Sequence, residues 1–406
     1  RELDALAEFG INAVRIPVGY WIFDHPSLYA NDHWVANFSG RPQYGINPDG
    51  HITPGTLALT NLVVRLWNRN MRVLLDMHAL PGCSSPHQSY AGIDCEARAP
   101  NLWGGSAHDG ISAGHTVKRA NDGRTWADIT RKITLERVVP WIRFIDWYAR
   151  GALVGYGVLN EPDAKSRDAA AGAVRDLTVE LGREVTACLG DVARRVRIGI
   201  GTGTENYSPR LVAKDYVSDT YAPLRDNYWS DVHHYFNWGG CIDGASRSFS
   251  VACACEANQP GSRWSRSDAA WAGWMESGIF ERGWRFYVGE WSAALGTAHT
   301  CQGGLPLAAQ AQRMWQAQKW NFLRQYLIYR GKAADGQSAF IGDFYWNGRM
   351  GDNWNPDPQV CYGPASAAGA DSKYWDWSLL RLVKLGLAQP LSELGLTPES
   401  MLRNRS

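Results

Sequence analysis

The segment Leu153-Val154-Gly155-Tyr156-Gly157-Val158-Leu159-Asn160-Glu161-Pro162 decides how this chain is expected to fold. Its apolar residues run almost unbroken and stop at Asn160 and Glu161. A continuous apolar run, in place of an alternating one, is the pattern of a strand covered on both faces, as in a parallel sheet flanked by helices. A charged residue ending such a strand is poorly solvated unless the strand opens into a polar site. The arrangement returns in Val288-Gly289-Glu290-Trp291-Ser292, where Glu290 ends a second apolar run.

Working outward, further strand-like runs occur at Asn12–Val18, Arg72–Met77, Val196–Gly201, Asp231–Phe236 and Phe340–Trp346, which with Leu153–Leu159 and Phe286–Glu290 make seven. Helical patterns separate them: Pro54–Asn70, with Leu57, Leu59, Leu62, Val63, Leu66 and Trp67 as its apolar positions, then Trp126–Arg150, Ala169–Leu189 and Leu307–Arg330. By size the chain suits one large α/β barrel or two smaller domains. Strand–helix alternation without a Pro/Ser-rich linker favours a single α/β domain over residues 1–406, a (β/α)8 TIM barrel. Such a barrel needs eight strands. The chain opens on Leu3, Leu6, Ala7 and Phe9 along one helical face, closed by Gly10, which reads as the first helix. The expectation is that the first strand lies upstream of residue 1. Long segments after strand ends, from His78 to about Asp122, Asn237–Pro260 and Asn347–Ser372, read as functional loops on the C-terminal face of the sheet.

Composition narrows the partners. With 41 basic and 40 acidic residues the net charge is +1, which supplies no field for nucleic acid or an acidic membrane surface. No apolar stretch approaches bilayer-spanning length, so the chain reads as soluble, without membrane insertion, and a monomer is expected. Aromatics stand out: 20 Trp and 17 Tyr against 11 Phe. Trp and Tyr join a flat apolar face to a polar handle, which suits a hydroxylated ring, although a large aromatic core would absorb many of them. Eight cysteines, with Cys83, Cys95, Cys241, Cys253 and Cys255 in loop-like sequence, lack zinc-site spacing and point to disulfides in an oxidising compartment. Cys188 falls in a helical pattern and reads as a buried free thiol. Asn37-Phe38-Ser39, Asn206-Tyr207-Ser208 and Asn404-Arg405-Ser406 match the glycosylation sequon and agree with a secreted or cell-wall location.

Polar residues collect at the strand ends: Arg15, His78, Asn160 with Glu161, His233 with His234 and Tyr235, Glu290, and Trp346. Taken singly, each has a plain structural reading. Arg15 suits an ion pair, His78 a hydrogen-bonded strand-end histidine, and Trp346 a core residue. His233 and His234 alternate faces, so one of them points away from any shared site. Their joint occurrence at successive strand ends argues for one active site. Two carboxylates there suit glycosidic bond cleavage, because ionising one favours keeping the other protonated. No closed ligand set recommends a metal, and neither metal nor cofactor is expected.

Asn12-Ala13-Val14-Arg15-Ile16-Pro17-Val18-Gly19-Tyr20-Trp21, Leu75-Asp76-Met77-His78, Asn160-Glu161-Pro162, His233-His234-Tyr235 and Gly289-Glu290-Trp291, in this order, resemble the signature of family 5 glycoside hydrolases (retaining, clan A). Their exo-β-1,3-glucanase (glucan 1,3-β-glucosidase) branch has similar Arg-Ile-Pro-x-Gly-Tyr-Trp and Gly-Glu-Trp-Ser runs, and the resemblance covers nearly the whole chain. It implies a TIM barrel and retaining hydrolysis of a β-linked polysaccharide or oligosaccharide. Glu161 is then the acid/base and Glu290 the nucleophile, with Arg15, His78, Asn160, His233, Tyr235 and Trp346 around the scissile sugar. Arg15 and Tyr235 are expected to hold Glu290 anionic, Asn160 to bind the sugar 2-hydroxyl, and Trp346 to form an apolar floor. His78 and His233 are expected to donate hydrogen bonds to substrate or a carboxylate.

The chain departs from that branch after Trp346, where Gly348-Arg349-Met350 replaces its Lys-Thr-Glu run. Two alternatives to an exo-acting β-1,3-glucanase stay open on the residues. One is a family 5 hydrolase of another linkage, β-1,4- or β-1,6-glucan or a glycolipid headgroup. The other is a non-catalytic carbohydrate-binding scaffold.

Overall fold

A computed structural model describes residues 1–24, 35–36, 45–46, 52–80, 126–161, 169–201, 227–233, 285–292, 322, 340–348, 378–384 and 386–388. The chain divides into two compact units. One comprises residues 12–207 and 219–231, the other residues 1–11, 208–218 and 232–406.

The first unit holds strands β1 (Ala13–Gly19), β2 (Arg72–Ala79), β3 (Leu153–Gly157), β4 (Arg197–Gly201) and β5 (Tyr228–His233) as far as Asp231. They lie in chain order and pair in parallel, with Ala13 opposite Arg72, Leu75 opposite Tyr156, Tyr156 opposite Ile198 and Ile198 opposite Tyr228. The apolar runs behave as their composition requires. On β2, Val73, Leu75 and Met77 are completely buried on one face, while Leu74, Asp76 and His78 alternate onto the other. Polarity on that second face rises toward the C-terminal end of the strand.

Helices return the chain between these strands. α2 (Thr56–Trp67) buries Leu59, Val63 and Leu66, four and three residues apart, and packs on β2. The expected helix over residues 126–150 is broken into α3 (Trp126–Ile133), a π turn (Thr134–Val138) and α4 (Val139–Tyr148). The break has a local cause: Pro140 has no N–H to give the carbonyl four residues back, and its ring crowds that carbonyl. α4 packs on β3, and α5 (Ala169–Leu189) packs on β4. A small antiparallel sheet of three two-residue strands, Val35–Ala36, Gly45–Ile46 and Ile52–Thr53, has no counterpart in the sequence reading, because two residues carry no periodicity.

The second unit contains α1 (Glu2–Phe9), the last two residues of β5, β6 (Arg285–Trp291), β7 (Phe340–Tyr345) and α6 (Leu379–Lys384). β6 and β7 pair in parallel, with Phe340 opposite Phe286 and Tyr345 opposite Trp291. α1 ends as expected at Gly10, whose φ of 98° lies in the left-handed region. Gly10 N–H donates to the Ala7 carbonyl and Ile11 N–H to the Leu6 carbonyl, so the last turn leaves these acceptors satisfied. α1 packs against α6.

All seven expected strands are present, the fifth beginning three residues earlier than its apolar pattern suggested. The predicted helix Leu307–Arg330 lies outside the described residues except for Phe322, as do the three long loops for nearly all their length, the sequons, and every cysteine but Cys188. Cys188 is a free thiol but exposed, which corrects the buried reading. It sits in the last turn of α5, where Leu189 takes the buried position.

Candidate active site

In the first unit, three strands and the residue run beyond a fourth deliver a dense ionic cluster. Arg15 projects from β1 with its side chain only 2% exposed. Its Nη2 donates to Asn160 Oδ1 at 2.7 Å, lies 3.1 Å from Asp76 Oδ2 and faces Asp231 Oδ2 at 3.7 Å. A buried guanidinium is tolerated where its charge is matched, and here Nη2 faces two carboxylates and an amide oxygen. Asp76 Oδ2 also accepts from His78 Nδ1 at 2.7 Å. His78 Nε2 in turn lies 3.4 Å from Asn160 Nδ2. Asp76 and His78 can share this work because they are two residues apart on one strand and emerge on the same face.

Backbone pairing carries the third strand into the site. Beyond the end of β3, Val158 N–H still donates to the Gly199 carbonyl at 3.1 Å, and Asn160 N–H to the Met77 carbonyl at 3.0 Å. Asn160 is thereby tied to β2 beside His78. The chain then turns sharply. Glu161 has φ 32°, in the left-handed region that non-glycine residues rarely adopt, and is 6% exposed. Such a conformation costs on the order of 1–3 kcal/mol and persists where its surroundings over-determine it. The hydrogen bonds of the preceding Asn160 supply that constraint.

The second unit presents a different surface. His233, the last residue of β5, places Nδ1 3.5 Å from Glu290 Oε2, with side chains 9% and 7% exposed. Glu290 precedes Trp291 at the end of β6. Trp291 is buried and donates from its indole Nε1 to Asp343 Oδ1 at 3.0 Å. It also meets Tyr345 edge-on, with centroids 5.0 Å apart. The Trp291 carbonyl accepts from Trp346 N–H at 2.7 Å, the Trp346–Asn347 peptide is cis, and the Trp346 side chain is half-buried.

Of the expected site residues, Arg15, His78, Asn160 and Glu161 thus gather in the first unit, and His233, Glu290 and Trp346 belong to the second. Tyr235, like His234, lies outside the described residues. His78 Nδ1 lies within hydrogen-bond distance of the Asp76 carboxylate. Sequence reasoning missed Asp76, Asp231 and Asp343. The signal for Asp76 was available: it interrupts an apolar run two residues before His78, where only a buried partner would justify a charge.

The fold and these strand ends define a parallel α/β architecture of the TIM-barrel class, with polar side chains at the C-terminal ends of its strands. Comparison with solved structures agrees. A Bacteroidetes-affiliated GH5 cellulase linked with a polysaccharide utilization locus superposes at TM-score 0.54 and 14% identity, over 99% of this chain and 86% of that one. A GH5 family lichenase from Caldicellulosiruptor sp. F32 gives 0.46 at 15% identity, over 84% and 73%. At 14% identity the likeness to the GH5 cellulase establishes the fold alone. Among curated proteins, glucan endo-1,6-beta-glucosidase B of Emericella nidulans is 21% identical over 355 residues, 85% of this chain and 68% of the relative. Comparison with protein-family models gives no match.

Proposed function

We propose that this protein is a retaining glycoside hydrolase of β-glucan, with Glu290 as nucleophile and Glu161 as acid/base. The observation that carries the reading is the pinned end of β3, where Glu161, buried and left-handed, follows an Asn160 held by Arg15, His78 and the Met77 carbonyl. In the first step a Glu290 oxygen bonds to the anomeric carbon while the glycosidic bond breaks and its oxygen takes the Glu161 proton. In the second, Glu161 removes a proton from water, the water oxygen bonds to the anomeric carbon, and the bond to Glu290 breaks. Asn160 offers an N–H to the sugar 2-hydroxyl, a contact that strengthens as positive charge develops on the ring. The half-buried Trp346 supplies an apolar face for that ring, Tyr235 is assigned to the nucleophile side, and no metal or cofactor takes part.

The motifs around Arg15 and Glu290 support exo attack on β-1,3-glucan. A second reading, endo attack on β-1,6-glucan, is favoured by the name of the Emericella nidulans relative, and the departure at Gly348-Arg349-Met350 weakens the β-1,3 assignment without selecting another linkage. Incubation with laminarin, pustulan, lichenan and carboxymethylcellulose, with product sizing, separates them. Glucose alone from laminarin supports the first, and an oligosaccharide ladder from pustulan the second. No turnover of any β-glucan refutes both and leaves the carbohydrate-binding scaffold. Cysteine content and sequons support action outside the cell.

A further inference from the structure

We propose that Asp76 is a positioning residue that sets the tautomer of His78 and, through it, the orientation of the Asn160 amide. The argument is one of donors and acceptors. Asp76 Oδ2, an acceptor when ionised, lies 2.7 Å from His78 Nδ1, so the proton sits on Nδ1. His78 Nε2 then carries the lone pair. Independently, Arg15 Nη2 can only donate, and it meets the Asn160 side chain at 2.7 Å, so that atom of the amide is the oxygen. The amide nitrogen therefore faces His78 Nε2, at 3.4 Å, donor toward acceptor. The two assignments, made from opposite ends, agree.

They also close a ring. Arg15 touches Asp76 and Asn160, Asp76 touches Arg15 and His78, and His78 touches Asp76 and Asn160. Moving the His78 proton to Nε2 would set N–H against N–H at Asn160 and a lone pair against the Asp76 carboxylate. Turning the amide over would set its N–H groups against the Arg15 guanidinium. Each member thus holds one state of its neighbours, and one Asn160 N–H remains outside the ring. Space for the carboxylate comes from Gly157, its register partner on β3, where an added Cβ would lie 3.3 Å from Asp76 Oδ1. Asp76 meets no reacting atom in this scheme; it acts through His78 and Asn160. A turned amide would offer the sugar 2-hydroxyl an acceptor oxygen in place of the N–H donor.

The functional half of this inference rests on the hydrolase reading; the tautomer half does not. Side-chain 15N–1H spectra of the wild-type protein, with His78 assigned by its loss in His78→Gln, should show a proton on Nδ1 and none on Nε2. In Asp76→Asn the preference should give way to mixed tautomers. Its kcat should fall at least tenfold with KM within about threefold, and the wild-type preference for an aryl β-glucoside over the 2-deoxyglucoside should shrink at least fivefold. A wild-type His78 protonated on Nε2 overturns the proposal whether or not Asp76→Asn folds. So does a folded Asp76→Asn that keeps the wild-type tautomer and 2-hydroxyl preference. If the wild type turns over no β-glucan, the hydrolase reading falls while the spectra still decide the tautomer.

Discussion

The two groups of strand-end residues are built from opposite materials. Around Glu161, the first unit assembles Arg15, Asp76, Asp231, His78 and Asn160, a charge-dense cluster in which nearly every contact is a hydrogen bond or ion pair. Beside Glu290, the described residues of the second unit set the His233 imidazole, then a wall of Trp291, Tyr345 and Phe322 that includes the Trp291–Asp343 hydrogen bond. The difference suits the roles proposed for the two glutamates. A residue that gives and takes a proton needs neighbours whose own protons are pinned, and a nucleophile needs a rigid backing that keeps its carboxylate aimed. Charge networks provide the former and packed aromatic rings the latter.

The largest expected effect breaks the comparison at its two centres. Glu290→Gln should lower kcat/KM on the preferred glucan by on the order of 10⁴-fold or more, since no covalent intermediate can form. Glu161→Gln should match that loss on glucan, yet on an aryl glucoside whose leaving group needs no proton it should keep most of kcat/KM while kcat falls, because the second step still lacks its base. Equal losses on both substrates for both variants would erase the division of roles. Initial rates on the two substrates decide it.

Next comes the ionic cluster. Arg15→Met leaves Asp76 and Asp231 buried opposite each other without their shared cation, and should cost about 3–5 kcal/mol, the usual penalty for stranding a buried charge. Urea denaturation of wild type and variant measures it, and a loss below about 1 kcal/mol would show that the cluster is not held by this guanidinium. In the aromatic wall, Trp291→Phe removes an indole and its bond to Asp343, and should cost about 1.5–3 kcal/mol in the same assay. A loss exceeding that of Arg15→Met would reverse the ranking of the two regions.

The smallest effect concerns Tyr156, beneath the ionic cluster. Burial pushes its phenol well above the ordinary tyrosine range; the Thr134 side chain lowers it in part, and the Asp76 charge raises it further. Because the folded-state value is raised, the unfolded chain loses this proton first as pH climbs. The contribution is therefore fully present below about pH 10 and declines above it, by up to about 1.4 kcal/mol per pH unit. Tyr156→Phe should remove that part of the alkaline decline while changing stability little at pH 7. Unchanged steepness in thermal melts between pH 9 and 11 would contradict the assignment.

Much of the architecture was legible because each strand had to bury both faces. Arg72–Met77, Leu153–Leu159 and Phe286–Glu290 could hardly be anything else, and the structure places all three. Register was not legible. β5 starts at Tyr228 because Tyr228 through Asp231 pair with Ile198 through Gly201, and a neighbour's hydrogen bonds cannot be read from a strand's own apolar pattern. The π turn has its signal in Pro140, although the apolar periodicity runs through it, and the exposure of Cys188 depends on where α5 ends. Arg15, His78, Asn160 and His233 stood out as polar residues closing apolar runs. Asp231 did not, because a carboxylate within a strand acquires meaning only from the cation opposite it, and Asp76 offered only the weaker signal of a charge interrupting an apolar run.

The sequence by itself determined the alternation of buried strands and amphipathic helices, and it set Glu161 and Glu290 at strand ends, since both follow from local hydrophobicity along a single segment. Only the tertiary structure decided which atoms meet: Arg15 from the first strand against Asn160 from beyond the third, Asp76 between Arg15 and His78, and Asp343 of β7 under the Trp291 indole. Those contacts join residues far apart in the chain, and their partners are selected by parallel register and the side-chain alternation it imposes.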